Sequence, residues 1–231
     1  MKRRFRDRAD AGRQLADRLP SGLVDPIVLA LPRGGVPVAG EVAARLAAPL
    51  DVLVARKIGA PGHEELGIGA IAEGGAMVAS DLVRALRLSS DEFEALARRE
   101  RVELERRVDR YRAGRRRLPV RGRDVVLVDD GLATGVTAEA ALLDLRAEAP
   151  RRLVLAVPVC STDTARRLVP PADEVVWVLA PRDLVAVGVW YDDFTQTTDA
   201  EVVALLDRAR GSGVDEDDHR PGRQQERGPG A

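Results

Sequence analysis

"RDVVLVDDGLATGVTAEAALLDLRAEA", residues 123–149, is the stretch on which the fold turns. Its apolar run, Val125 to Val128, is short, rich in β-branched residues and closed by two acids and a glycine, as a buried strand is. After Gly135 the apolar residues return at helical spacing, so a strand passes through a tight loop into a helix. The pattern repeats outward in both directions. "PIVLALP" (26–32) reads as a strand and "VPVAGEVAARLAA" (36–48) as the helix behind it, with "LDVLVARKI" (50–58) as the next strand. Downstream, "RRLVLAVPV" (151–159) is a strand, "STDTARRLV" (161–169) a short helix capped by Ser161, and "DEVVWVLAP" (173–181) a further strand. Strands alternating with helices predict an α/β fold with a mainly parallel central sheet flanked by helices.

The remaining segments fit around that frame. Residues 59–75, "GAPGHEELGIGAIAEGG", hold six glycines and a proline and predict a long mobile loop, with a short hairpin around 67–79. Residues 89–112 open with a capping box, Ser89 and Glu92, and place Phe93, Ala97, Leu104, Val108 and Tyr111 on one side of a long inserted helix. Its arginines alternate with glutamates and lack aromatic partners, which is the pattern of a solvated face and not of a nucleic-acid stripe. Residues 187–210 give a short extended piece, a loop and a helix from near Asp199. Residues 211–231 carry almost no apolar side chains and predict a disordered tail behind one domain, 1–210.

Bulk properties narrow the function. At 231 residues one domain is expected, and 3% aromatic residues predict an aliphatic core. A formal net charge of −1 gives no general attraction to nucleic acid. Cys160 is the single cysteine, which rules out an intramolecular disulfide and a cysteine-built metal site and suits a reducing compartment. The basic start lacks a signal-type apolar run, and no segment reaches the ~18 apolar residues of a membrane span. The expectation is a cytoplasmic protein with no membrane partner. Of the 36 basic residues only Lys2 and Lys57 are lysine, which singles out Lys57 inside the chain.

The loop of the opening stretch has its own chemistry. Main-chain N–H groups of Ala133, Thr134, Gly135, Val136 and Thr137 lie at a helix start, where unpaired donors and the macrodipole favour an anion such as phosphate. Gly135 permits close approach, and the Thr134 and Thr137 hydroxyls can donate. Asp129 and Asp130 would repel a phosphate, so they call for hydroxyl donors or a cation. A sugar phosphate meets both demands. The P-loop string is absent, and a response-regulator receiver would need a lysine downstream of Asp130, where there is none.

An apolar strand, two acids, three variable residues and Thr-Gly resemble the signature of the type I phosphoribosyltransferases, and "KIGAPGHEELGIGA" is similar to a bacterial branch of that family. The resemblance implies binding of 5-phosphoribosyl 1-diphosphate (PRPP) with Mg²⁺. Asp129 and Asp130 would hold the ribose hydroxyls, meeting the metal only through ribose or water, and residues 133–137 would cradle the 5′-phosphate. "LPRGGVPVAGEVA" (31–43) resembles the family's pyrophosphate loop, which implies roles for Arg33, Gly34 and Gly35 and a cis peptide at Pro32–Arg33. The glycine-rich segment corresponds to the family's closing lid, with Lys57 at its root facing pyrophosphate and His63 near its tip. "VGVWYDDF" (187–194) resembles the hood over the acceptor, making Trp190, Tyr191 and Phe194 candidates for stacking and Asp192 or Asp193 for polar contact or Mg²⁺. The alternative for Trp190 and Phe194 is a place in the core or in a subunit interface, as of a homodimer. Ala133 stands where the hypoxanthine and guanine enzymes carry an aspartate, so the acceptor is read only as a nucleobase or related heterocycle. The rival function is a PRPP- or nucleotide-sensing regulator that performs no transfer.

Overall fold

The computed structural model describes residues 4–211. The first half runs α1 (Arg8–Ala16), β1 (Ile27–Ala30), α2 (Gly35–Leu46), β2 (Leu50–Val52), β3 (Ala55–Ala60), β4 (His63–Ala72), β5 (Met77–Ala79), α3 (Asp81–Ala85) and α4 (Ser90–Arg112). The second half runs β6 (Asp124–Val128), α5 (Val136–Ala147), β7 (Arg152–Val159), α6 (Thr162–Arg167), β8 (Glu174–Leu179), a 3₁₀ turn at Val187–Trp190, and α7 (Asp199–Gly211). Five strands form a sheet in the order β2-β1-β6-β7-β8, every pair parallel. The expected α/β architecture is therefore present.

Alternation along the strands sends side chains to two cores. Val28, Ala30, Val126 and Val128 meet α1, α2 and α7, while Leu29, Val125 and Leu127 meet α5 and α6. Val125 to Val128 are fully buried, each worth about 1.5–3 kcal/mol as an aliphatic side chain taken from water. From β1 the chain passes through α2 outward to β2, and from β6 it passes through α5 to β7 on the other side. The strand order thus reverses between β1 and β6, the point at which open parallel sheets bind ligands at their carboxyl ends.

Four expectations change. The glycine-rich segment is not a loop: β3, β4 and β5 form an antiparallel sheet, with only Pro61 and Gly62 between the first two strands. Its glycines serve close packing. A Cβ at Gly67 would lie 2.4 Å from Lys57 Cδ, and one at Gly69 2.4 Å from the Val78 carbonyl oxygen. The single strand expected over 50–58 is two, because the chain leaves the parallel sheet after Val52 and the Val54 N–H turns to Glu73 Oε2 at 3.0 Å. Residues 187–190 are a 3₁₀ turn and not extended. Helix α1 is an addition to the expected elements; its N-cap Asp7 accepts from Asp10 N–H. The long insert is α4, with both halves of the Ser89–Glu92 capping box formed and Phe93, Ala97, Leu104 and Tyr111 buried. Of the tail expected over 211–231, Gly211 closes α7 and the rest lies outside the described residues.

Candidate functional site

Asp129 and Asp130 follow the last residue of β6, at the reversal of strand order. Asp129 Oδ1 accepts from the Asp130 N–H at 2.8 Å, and Asp130 Oδ2 accepts from Arg8 Nε at 2.9 Å. The other oxygen of each carboxylate has no hydrogen bond to another side chain among the described residues. Burial lifts the Asp129 carboxyl well above the ordinary carboxylate range, and the neighbouring Asp130 charge lifts it further. Burial raises Asp130 as well, opposed by Arg8. Two desolvated acids in contact favour a ligand that brings hydroxyl donors or a cation.

The two glycine loops interlock around these acids. Gly35 is so close to the end of β6 that a Cβ on it would lie 2.7 Å from the Val128 carbonyl oxygen and 3.0 Å from Asp129 Cα. A Cβ on Gly34 would lie 2.0 Å from Asp130 Oδ2. The Pro32–Arg33 peptide between β1 and α2 is cis, as the resemblance implied. Helices α2 and α5 both begin here, after Gly34 and Gly135, and neither has a side-chain cap on its first N–H groups. Gly135 holds φ +75°, a conformation that favours glycine, while Ala133 and Thr134 are exposed and Val136 and Thr137 half-buried. Two helix starts without side-chain caps thus lie on either side of one acid pair.

Lys57 lies on β3 opposite Ala70, exposed and without an ion pair among the described residues. Arg33 is partly exposed, with Nη1 3.6 Å from Asp199 Oδ1. His63 opens β4 beside the turn and is exposed. The segment 187–194 comes up against the loop after the acid pair: a Cβ on Gly131 would lie 2.6 Å from Val187 Cγ1. Its residues divide, however. Tyr191 is 4% exposed, enclosed by the rings of Phe5 and Phe194, and donates its hydroxyl to the Asp130 carbonyl at 2.6 Å. It is a core residue and not the open stacking face expected of it. Trp190 and Phe194 are half-buried, and the Arg8 guanidinium lies 3.9 Å from the centre of the Phe194 ring. Asp192 is exposed, 4.0 Å from Arg4, and Asp193 accepts from Thr195. Cys160 is buried, its thiol pushed up to about 12 by burial, which suits a packing role.

Three participants escape a reading of the sequence. Arg8 ties α1 to Asp130 and to the Thr195 carbonyl at 2.7 Å. Arg167, at the end of α6, donates to the Thr134 carbonyl and to Glu139 and so braces the α5 loop from outside. Asp199 gathers Arg33, Arg110 and the Tyr111 hydroxyl.

A parallel sheet with an acid pair and two glycine-led helix starts at its switch point defines an α/β domain of the type I phosphoribosyltransferase class. The sequence profile of the phosphoribosyl transferase domain matches residues 9–192, and the chain belongs to that family. Two Mycobacterium tuberculosis proteins, from strains H37Rv and CDC 1551 and both named "Putative phosphoribosyl transferase", are 53% identical to it over 208 residues. The match takes in 89% of this chain and 47% of each relative, so the chain spans about half the length of those proteins. The crystal structure of TT1426 from Thermus thermophilus is similar at 51% identity and a TM-score of 0.74, covering 88% of this chain and 97% of that one. Among the described residues no helix is long and apolar enough to cross a membrane.

Proposed function

We propose that this domain transfers the 5-phosphoribosyl group of PRPP to a nitrogen of a nucleobase or related heterocycle, releasing pyrophosphate. The observation that carries the reading is the interlock at the switch point, where Gly34 and Gly35 seat the α2 loop directly against Asp129 and Asp130 while Gly135, at φ +75°, leads the chain from the acid pair into α5. The remaining carboxylate oxygens accept the ribose hydroxyls, the first N–H groups of α5 hold the 5′-phosphate, and the α2 loop with Arg33 and Lys57 receives the diphosphate. In the transfer the C1–O bond breaks with its electron pair leaving on pyrophosphate, a C1–N bond forms, and the acceptor nitrogen gives up its proton. These groups act by orientation and charge neutralisation, without a covalent nucleophile.

Mg²⁺ fits the donor set. Among the described residues no cluster of three or more ligating side chains exists, and one or two carboxylates beside a phosphorylated substrate is the way this ion is ordinarily held. Asp129 and Asp130 would hold it through water or the ribose, and when bound it supplies neutralisation of the diphosphate charge. The hood, with Trp190 and Phe194 half-buried beside Tyr191, is the acceptor side. The test is calorimetric titration of PRPP with Mg²⁺ into the wild type and the Asp129→Asn/Asp130→Asn variant, followed by pyrophosphate release with a panel of heterocycles. Binding lost in the variant and release with an acceptor support the reading. Equal binding by both proteins removes it, and tight binding with no release under any acceptor assigns the domain to sensing.

A further inference from the structure

The inserted helix α4 ends beside the loop that carries Arg33. Tyr111, 1% exposed, donates its hydroxyl to Asp199 Oδ1 at 2.7 Å, and Arg110 Nη1 lies 3.4 Å from Asp199 Oδ2. Arg33 Nη1 lies 3.6 Å from Asp199 Oδ1, inside ion-pair range and beyond hydrogen-bond length. Three groups thus share one carboxylate whose side chain is 15% exposed. The hydroxyl first, and then the arginines, hold Asp199 below the usual carboxylate range, so it is an anion at neutral pH. The sharing is asymmetric. If Arg33 is drawn away, Asp199 keeps a hydrogen bond and a second cation, whereas Arg33 has no other acidic partner among the described residues.

Building on the reading above, in which Arg33 receives the diphosphate, we propose that Asp199 is a counter-ion that competes with the diphosphate for Arg33, with Tyr111 and Arg110 of α4 setting how firmly it competes. A phosphate group offers Arg33 the short, charge-assisted and bidentate contact that Asp199 at 3.6 Å does not. The hydroxyl of Tyr111 satisfies the same oxygen that faces Arg33, so it weakens the hold of Asp199 on the guanidinium. The insert helix therefore tunes affinity at one end of the substrate and leaves the acid pair alone.

The experiment titrates pyrophosphate and ribose 5-phosphate separately into the wild type, Asp199→Asn, Tyr111→Phe and Arg33→Met. Asp199→Asn should bind pyrophosphate about two- to fivefold more tightly, the equivalent of one partly exposed ion pair. Tyr111→Phe should bind it more weakly, because the carboxylate freed of its hydroxyl partner turns fully to Arg33. Ribose 5-phosphate, bound at the α5 end, should be unchanged in both variants, which also shows that they are folded. Arg33→Met combined with either change should abolish the response. Pyrophosphate affinity that moves in the same direction in Asp199→Asn and Tyr111→Phe, or in neither, overturns the inference while the reading of the site stands. A wild type that binds neither anion overturns both.

Discussion

Replacing Gly34 by alanine tests the contact that joins the two loops. Gly34 has φ −62° and ψ −31°, a helical conformation open to any residue, so the backbone does not object to a side chain. Space does. The new Cβ would lie 2.0 Å from Asp130 Oδ2, 2.6 Å from Asp130 Cγ and 3.2 Å from Arg8 Nε. Asp130 cannot keep its place. If it stays strained, the overpacking costs about 1–3 kcal/mol. If it swings aside, it forfeits the 2.9 Å bond to Arg8, and a bond between charged groups this little exposed is worth about 1.5–3 kcal/mol. Either route lowers stability by about 1–3 kcal/mol, a fall of roughly 2–10 °C in Tm for a domain of this size. The same displacement takes away the ribose contact proposed for Asp130, and about 1.5–3 kcal/mol there corresponds to a roughly ten- to 150-fold loss of PRPP affinity. The decisive measurement is a double-mutant cycle by urea unfolding with Asp130→Ala, which deletes both of the atoms a Cβ would strike first. In that background Gly34→Ala should cost almost nothing, giving a coupling of about 1–3 kcal/mol. An equal cost in both backgrounds, or a Gly34→Ala protein as stable and as tight-binding as wild type, refutes the reasoning.

Other perturbations follow from the same contacts. Arg112 is buried, donating to the Val52 carbonyl and to Glu73 Oε1, both at 2.7 Å, with Asp51 3.8 Å away; Arg112→Met should cost about 3–5 kcal/mol, read as a lower urea midpoint at constant m. Tyr191→Phe leaves the Asp130 carbonyl without its donor and should cost about 1–3 kcal/mol by the same unfolding assay. Asp129→Asn should raise Tm at pH 7.5 while weakening PRPP binding. The raised carboxyl favours the protonated folded state, so its stabilising contribution is full below the unfolded value near 3.8 and is lost as pH rises through the folded one. The Tm advantage of the asparagine variant should therefore shrink as pH falls toward 4, and an advantage independent of pH would contradict the cause given.

The parallel sheet is legible because its strands are buried on both faces and read as unbroken aliphatic runs, as Val125 to Val128 do. The insert helix is legible because its capping box and its buried stripe agree in register. The β4–β5 hairpin is legible around 67–79, but the pairing of β3 with β4 is not, since glycine reads as freedom in a sequence whether it supplies a turn or admits a neighbour. At Gly67 and Gly69 the neighbours are Lys57 and Val78, supplied by other strands. The acid pair and both glycine loops are readable because each is a local string. Arg8, Arg167 and Asp199 are not, because each works through partners 122, 33 and 88 residues away. Nothing local distinguishes them from the many other arginines and acids of the chain.

The position of Arg8 explains why the start of the chain belongs to the site. Burial raises both carboxyls at the end of this strand, and the charge of Asp130 raises Asp129 further. An anionic ligand would add to this effect. Arg8 cancels one of the two charges through Nε and spends a second donor on the Thr195 carbonyl, so the pair presents about one net negative charge and two remaining oxygens. Phe5, fully buried, fixes that arginine by exchanging main-chain hydrogen bonds with Trp190 and Asp192 on either side of Tyr191. Tyr191 closes the circuit with its hydroxyl on the Asp130 carbonyl. The hood, the first helix and the acid pair are thus one hydrogen-bonded unit, and a shift of the hood at Thr195 must be felt at Asp130 through a single guanidinium.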